Sequence, residues 1–87
     1  MFGINITTKA ARQLKKIEKK NAQDYRKVNA AIRELRNYPN VSNVKALTDH
    51  QYGYRKRVGN YRIFFDVQKS IKIIDVQEVG RRDDNTY

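Results

Sequence analysis

Phe2, Ile4 and Ile6 alternate with Gly3 and Asn5, a period of two that predicts a short opening strand with one buried face. The period then lengthens. Ala10, Leu14 and Ile17 recur at helical spacing, and Thr7 or Thr8 is placed to cap the first turn through its hydroxyl. Lys9, Arg12, Lys15, Lys16, Lys19 and Lys20 fall largely off that stripe, so the helix reads as amphipathic and basic. A break around Asn21 leads into a second helix with Tyr25, Val28, Ile32 and Leu35 as its apolar stripe. Pro39 ends it by forcing the preceding residue out of helical geometry. Two helices joined this tightly predict a helical hairpin.

From Asn40 to Gln51 the polarity is mixed and no period is sustained, which reads as a loop with Val44 and Leu47 as its anchors on the core. Beyond it the period returns to two. Tyr54 to Val58 and Tyr61 to Val67 flank Gly59-Asn60, a pair able to take the positive φ angles of a tight hairpin turn. Gln68-Lys69-Ser70 makes the next turn, and Ile71 to Val79 supplies a further strand. The predicted order is β-α-α-β-β-β, an α+β fold with the helical hairpin on one side of a largely antiparallel sheet, in a single domain over residues 1–87. The other side of that sheet is left free for chemistry.

Charge changes the picture more than size does. Nineteen Lys and Arg against nine acids give a formal net charge of +10 on 87 residues, a field that speeds encounter with phosphate polyanions and makes binding salt-dependent. Nucleic acid is the first expectation, with an acidic protein or an anionic membrane surface behind it. A chain of this length buries only about 60–65% of the surface it exposes when unfolded, so modest stability is expected. It has no cysteine, hence no disulfide and no thiolate metal site, which suits a reducing cytoplasm. No basic segment followed by a long apolar run opens the sequence, and no apolar run is long enough to cross a bilayer.

Strand parity sorts the cations of Tyr54 to Ile63. Arg55 and Arg57 point to one face; Tyr54, Lys56 and Val58 point to the other. If Tyr61, Ile63 and Phe65 lie under the helices, Arg62 joins Arg55 and Arg57. Like charges on adjacent strands repel by a few tenths to about 1 kcal/mol per opposed pair, so the cluster is costly unless an anion covers it. Asp66 and Asp75 are available to pair with it, which would make it an ordinary solvated face. Lys56 has core-side parity and is expected to snorkel out along its stem. His50, the one imidazole, precedes the basic strand and is the obvious base at neutral pH, though a lone loop histidine is more often simply solvated. No Ser-His-Asp arrangement, phosphate-cradling glycine loop or metal-ligand spacing is present.

These pieces resemble the RelE/ParE toxin superfamily, and within it the RelE-type messenger RNA interferases of toxin-antitoxin pairs. The resemblance covers nearly the whole chain: the opening strand, the basic helical hairpin, Val44-Lys45-Ala46-Leu47, the Tyr54 to Ile63 hairpin, and a closing strand leading into Gly80-Arg81-Arg82-Asp83 and Tyr87. It implies a cytoplasmic toxin that enters the ribosomal A site and cleaves messenger RNA by attack of a ribose 2′-hydroxyl on the adjacent phosphate, with no metal or other cofactor. It also implies a cognate antitoxin as partner. Arg55 and Arg57 match the basic residues of the active strand, and Arg62 matches the phosphate-stabilising arginine. Arg82 or Arg81 matches the arginine after the last strand, and Tyr87 the C-terminal tyrosine that stacks on or orients the base. Lys15, Lys16, Lys19, Lys20 and Lys45, with Lys9, Arg26 and Lys27, would contact RNA phosphates without reading sequence. The best-known RelE proteins carry lysines where this chain has Arg55 and Arg57. Guanidinium stays protonated, so the proton acceptor has to be another group, with Tyr87, His50 and Tyr54 as the candidates. Gyrase-inhibiting ParE proteins share much of the hairpin pattern and give the second expectation.

Overall fold

A computed structural model describes residues 1–82. The chain runs β1 (Gly3–Ile6), α1 (Thr8–Lys20), α2 (Ala22–Glu34), a 3-10 turn (Leu35–Asn37), β2 (Val44–Ala46), β3 (Tyr54–Val58), β4 (Tyr61–Gln68) and β5 (Ile73–Arg81). The five strands lie in the order β1-β5-β4-β3-β2, antiparallel except for the parallel β1–β5 pair. Both helices cover one face of this sheet, the predicted α+β arrangement.

Local chemistry accounts for the element ends. The Thr7 hydroxyl accepts from the Ala10 amide at 3.2 Å and caps α1, and the Asn21 side chain accepts from Asp24 at 3.1 Å and caps α2. Asn21 is thus both the end of one helix and the start of the next, with its backbone extended at φ −156°. The turn between β3 and β4 uses Gly59 at φ 55°, where a side chain would be strained.

The core joins Ala10, Leu14, Val28, Ala31, Ile32 and Leu35 of the helical layer to Tyr61, Ile63, Phe65, Ile74, Val76 and Val79 of the sheet. Tyr61, Ile63 and Phe65 therefore lie under the helices, as parity requires. In β5 the core positions run Ile74, Val76, Val79, spaced by two and then by three. The irregularity is a β-bulge: Phe65 pairs with Val76 and Phe64 with Glu78, so Gln77 has no counterpart on β4. Without that extra residue Glu78 would turn inward and Val79 outward.

Three expectations change. The stretch read as a loop contains β2, a three-residue edge strand too short and too polar to show a period; Val44 packs against the core, but Leu47 lines the opposite face of the sheet. The last strand starts two residues later than read, because Lys72 takes φ 54° and extends the preceding turn. Lys56 does not snorkel to solvent: it is buried, and its ammonium donates to the Ser42 carbonyl at 2.7 Å.

Candidate functional site

The uncovered face of the sheet is a grid set by strand register. One row across the sheet is Lys45, Arg55, Phe64 and Glu78; the next is Arg57, Arg62 and Gly80. Adjacent strands are about 4.8 Å apart, so Arg57 and Arg62 stand side by side with Arg55 one step along. Gly80, opposite Arg62, has no side chain, and a Cβ there would meet nothing within 4 Å, so that point of the face is open.

Among the described residues no carboxylate forms an ion pair with Arg55, Arg57 or Arg62. Asp66 and Asp75, the acids available to pair with them, are engaged elsewhere. Asp66 accepts from the Gly53 amide at 2.7 Å and from the Gln77 side chain at 3.1 Å, while Asp75 accepts from Asn5 and Gln68. The Nε atoms of Arg55 and Arg62 are buried with no hydrogen-bond partner, a costly state for a charged donor. Burial first, and then the charges of Arg57, Arg62 and Arg82, push the Arg55 guanidinium below its ordinary value. It still carries its charge at neutral pH, and among the described residues no anion balances the cluster.

Arg82 belongs to this group. Its amide donates to Asn60 at 2.6 Å, its guanidinium to the Gly59 carbonyl at 3.3 Å, and its carbonyl accepts from Arg62 at 3.1 Å. Arg81 has the opposite parity, pairing with Tyr61 and holding its guanidinium 5.9 Å from the centre of that ring. Of the two arginines, Arg82 is the one beside Arg55 and Arg62. Tyr87 lies outside the described residues.

Beside the arginines is an aromatic ledge that the sequence reading missed, apart from His50. The His50 ring stacks on Phe64, with centroids 5.2 Å apart and planes 13° off parallel, and Tyr52 leans on both. Phe64 is visible as an apolar residue on the polar parity of β4, which was the available signal. Leu47, His50, Arg55, Arg62, Phe64 and Glu78 line a cleft of about 320 Å³. A second cleft of about 520 Å³ shares Arg62, Phe64 and Glu78 and runs on toward α1, where Lys16 and Lys20 border it. Lys45 is on the cationic face, whereas Lys15 and Lys19 are exposed on α1 and line neither cleft. Lys9, read as a contact for RNA, bonds Glu78 at 3.0 Å.

Two of the proposed proton acceptors are altered by this geometry. Tyr54 is on the helix-covered side, where its hydroxyl accepts from Tyr38 at 3.2 Å and its ring stacks on Phe65. His50 accepts the Tyr52 amide at Nδ1, 3.0 Å away, so the neutral ring carries its hydrogen on Nε2 and offers the cleft a donor. The Tyr52 hydroxyl donates to Glu78 at 3.1 Å; burial and then that bond push its ionisation up. Among the described residues no three His, Asp or Glu side chains are grouped to hold a metal ion, and no helix is long and apolar enough to cross a membrane.

The fold is shared with known proteins. A chain of the RelBE2 toxin-antitoxin complex from Mycobacterium tuberculosis superposes with a TM-score of 0.77 at 20% identity, over 93% of this chain and 98% of that one. A chain of the archaeal RelE-RelB complex from Pyrococcus horikoshii OT3 gives 0.72 at 22% identity, over 93% and 94%. No curated protein matches by sequence. The family model described as the ParE toxin of type II toxin-antitoxin systems, parDE, matches residues 4–86. With that match spanning nearly the entire chain, on a RelE-like fold, the protein belongs to the ParE toxin family of the RelE/ParE superfamily, the toxins of type II toxin-antitoxin systems.

Proposed function

We propose that this toxin is a ribosome-dependent endoribonuclease acting in the cytoplasm on messenger RNA in the A site. The observation that carries the reading is the cluster of Arg55, Arg57 and Arg62, without carboxylate partners among the described residues and with the Nε atoms of Arg55 and Arg62 buried and unpartnered, beside the His50–Phe64 ledge. Phosphate fits the guanidinium forks, and an unstacked base fits the exposed imidazole face, which together describe a single-stranded RNA segment. Arg62, opposite the open position at Gly80, holds the scissile phosphate; Arg55, Arg57 and Arg82 offset the charge that grows on it as the 2′-oxygen attacks. The resemblance implies that Tyr87 stacks on or orients the substrate base. Lys45 extends the cationic row, and Lys16 and Lys20 border the cleft from α1, where ribosomal RNA phosphates would meet them. The role of Lys15 and Lys19 in the same contact rests on their exposure and charge alone. The relatives superposed above are each held in complex with an antitoxin, which supports a cognate antitoxin as this chain's partner.

The family model is named for ParE, which favours gyrase inhibition as the second reading, with the same cations holding an acidic protein surface. One experiment separates the two. Induce the wild type and Arg62→Ala in growing cells, map 5′ ends on a translated message, and follow DNA synthesis. The expected result is codon-positioned cleavage by the wild type, reduced by about 10²-fold or more in Arg62→Ala, the scale for losing one transition-state donor. Intact messages with arrested replication would replace the nuclease reading with the gyrase one.

A further inference from the structure

The arginines can stabilise a phosphorane but cannot take a proton, so a cleaving site of this composition needs another group as acceptor. Glu78 meets the requirement by position. The bulge at Gln77 turns it onto the cationic face opposite Phe64, and it lines both clefts together with Arg62. Among the described residues it is the carboxylate on that face with an oxygen to spare. Asp66 has both oxygens occupied, whereas Glu78 receives Lys9 and Tyr52 on Oε1 and nothing on Oε2. Those two donors hold the carboxylate through one oxygen and leave the other without a partner in a residue that lines both clefts. Of the acceptors that the sequence offered, Tyr54 is on the other face of the sheet and His50 presents a hydrogen, while Tyr87 lies outside the described residues.

We infer that Glu78 is the catalytic base, taking the proton of the attacking ribose 2′-hydroxyl at Oε2; the inference rests on the nuclease reading above. The 2′-oxygen then forms its bond to phosphorus and the bond from phosphorus to the 5′-oxygen breaks, giving a 2′,3′-cyclic phosphate and a 5′-hydroxyl. The leaving oxygen is protonated by water, and Glu78 returns its proton to solvent, so the step balances without an external reagent. The charged and titratable groups facing Glu78 are Lys9 and Lys16 of α1, His50 and Tyr52 of the preceding loop, Arg55 of β3 and Arg62 of β4. A base acts only while unprotonated, so a step limited by one slows on the acid side of its pH profile.

The test is single-turnover cleavage of a short message on programmed ribosomes as a function of pH, with binding measured alongside. Glu78→Gln should bind ribosomes as the wild type does, cleave about 10²-fold or more slowly, and lose the fall in rate on the acid side. Lys9→Met, which removes one partner of Glu78 but keeps the carboxylate, should retain that acid limb. If Glu78→Gln does not fold, Glu78→Asp decides: a reduced rate with the acid limb kept supports the assignment, and an undiminished rate overturns it. A Glu78→Gln protein that cleaves within about threefold of wild type, or keeps the acid limb, also overturns it while leaving the nuclease reading standing. A wild type that does not cleave removes both.

Discussion

The two faces of the sheet are made from the same strands by alternation, yet they answer different demands. On the helix-covered face, side chains are apolar and the polar groups have partners: Tyr61 donates to Asp24 at 3.0 Å, and even the buried Lys56 reaches a carbonyl. On the uncovered face, cations stand beside cations, two guanidinium nitrogens are buried without partners, and Asp66 is occupied with the backbone and Gln77. Among the described residues one face is resolved from within, and the other is left with cations that an anion would balance. Stability and function are thereby separated by strand parity, and substitutions one residue apart should report on different properties.

The sharpest test of that separation is a substitution on the covered face. Phe65 is fully buried in the core and stacked on Tyr54. Phe65→Ala should cost about 3–5 kcal/mol in urea unfolding, a large part of the stability of so small a domain. Arg62→Ala, three residues away on the same strand, should leave stability unchanged or raised while removing cleavage. A core substitution with little effect on unfolding would mean that the covered face is not what holds the molecule together.

Lys56 tests whether charge alone makes a cation functional. It lies between Arg55 and Arg57 in sequence but on the opposite face, donating to Ser42, an exposed residue. Lys56→Met removes a buried charge together with one hydrogen bond, two effects of opposite sign that should leave stability within about 1 kcal/mol. Cleavage and ribosome binding should be as in the wild type. A tenfold loss of cleavage in a folded Lys56→Met protein would show that the covered face contributes to the chemistry after all.

Most of this division was legible in the sequence, because the hydrophobic period is a direct record of burial. The helical stripes, the Gly59-Asn60 turn and the parity of Arg55, Arg57 and Arg62 all follow from residue spacing, and the structure agrees with each. Two features were hidden for physical reasons. β2 is held by the backbone of β3 and not by an apolar face of its own, so its three residues carry no pattern. The bulge in β5 hid Glu78: strict alternation puts it in the core, and only the spacing of Ile74, Val76 and Val79 betrays the extra residue. The aromatic ledge was obscured because His50 and Tyr52 lie in an irregular segment, where side-chain direction is set by contacts and not by period. Tyr87, expected to complete the site, lies outside the described residues.

The smallest predicted effect bears on the uncovered face alone. Arg57 and Arg62 are directly opposed on antiparallel strands, the arrangement in which like charges destabilise a sheet. Both have access to solvent, so the repulsion is screened and amounts to a few tenths of a kcal/mol, at most about 1. Arg57→Gln removes it and should raise unfolding stability by that amount at low salt. The gain should shrink as salt is added, because ions already screen the wild-type pair, and should vanish in phosphate if the anion bridges the two guanidinium groups. A salt-independent change would assign the effect to packing or strand propensity. A loss of stability in Arg57→Gln would mean that Arg57 has a partner within the molecule, and that the uncovered face is less dependent on an outside anion than its geometry indicates.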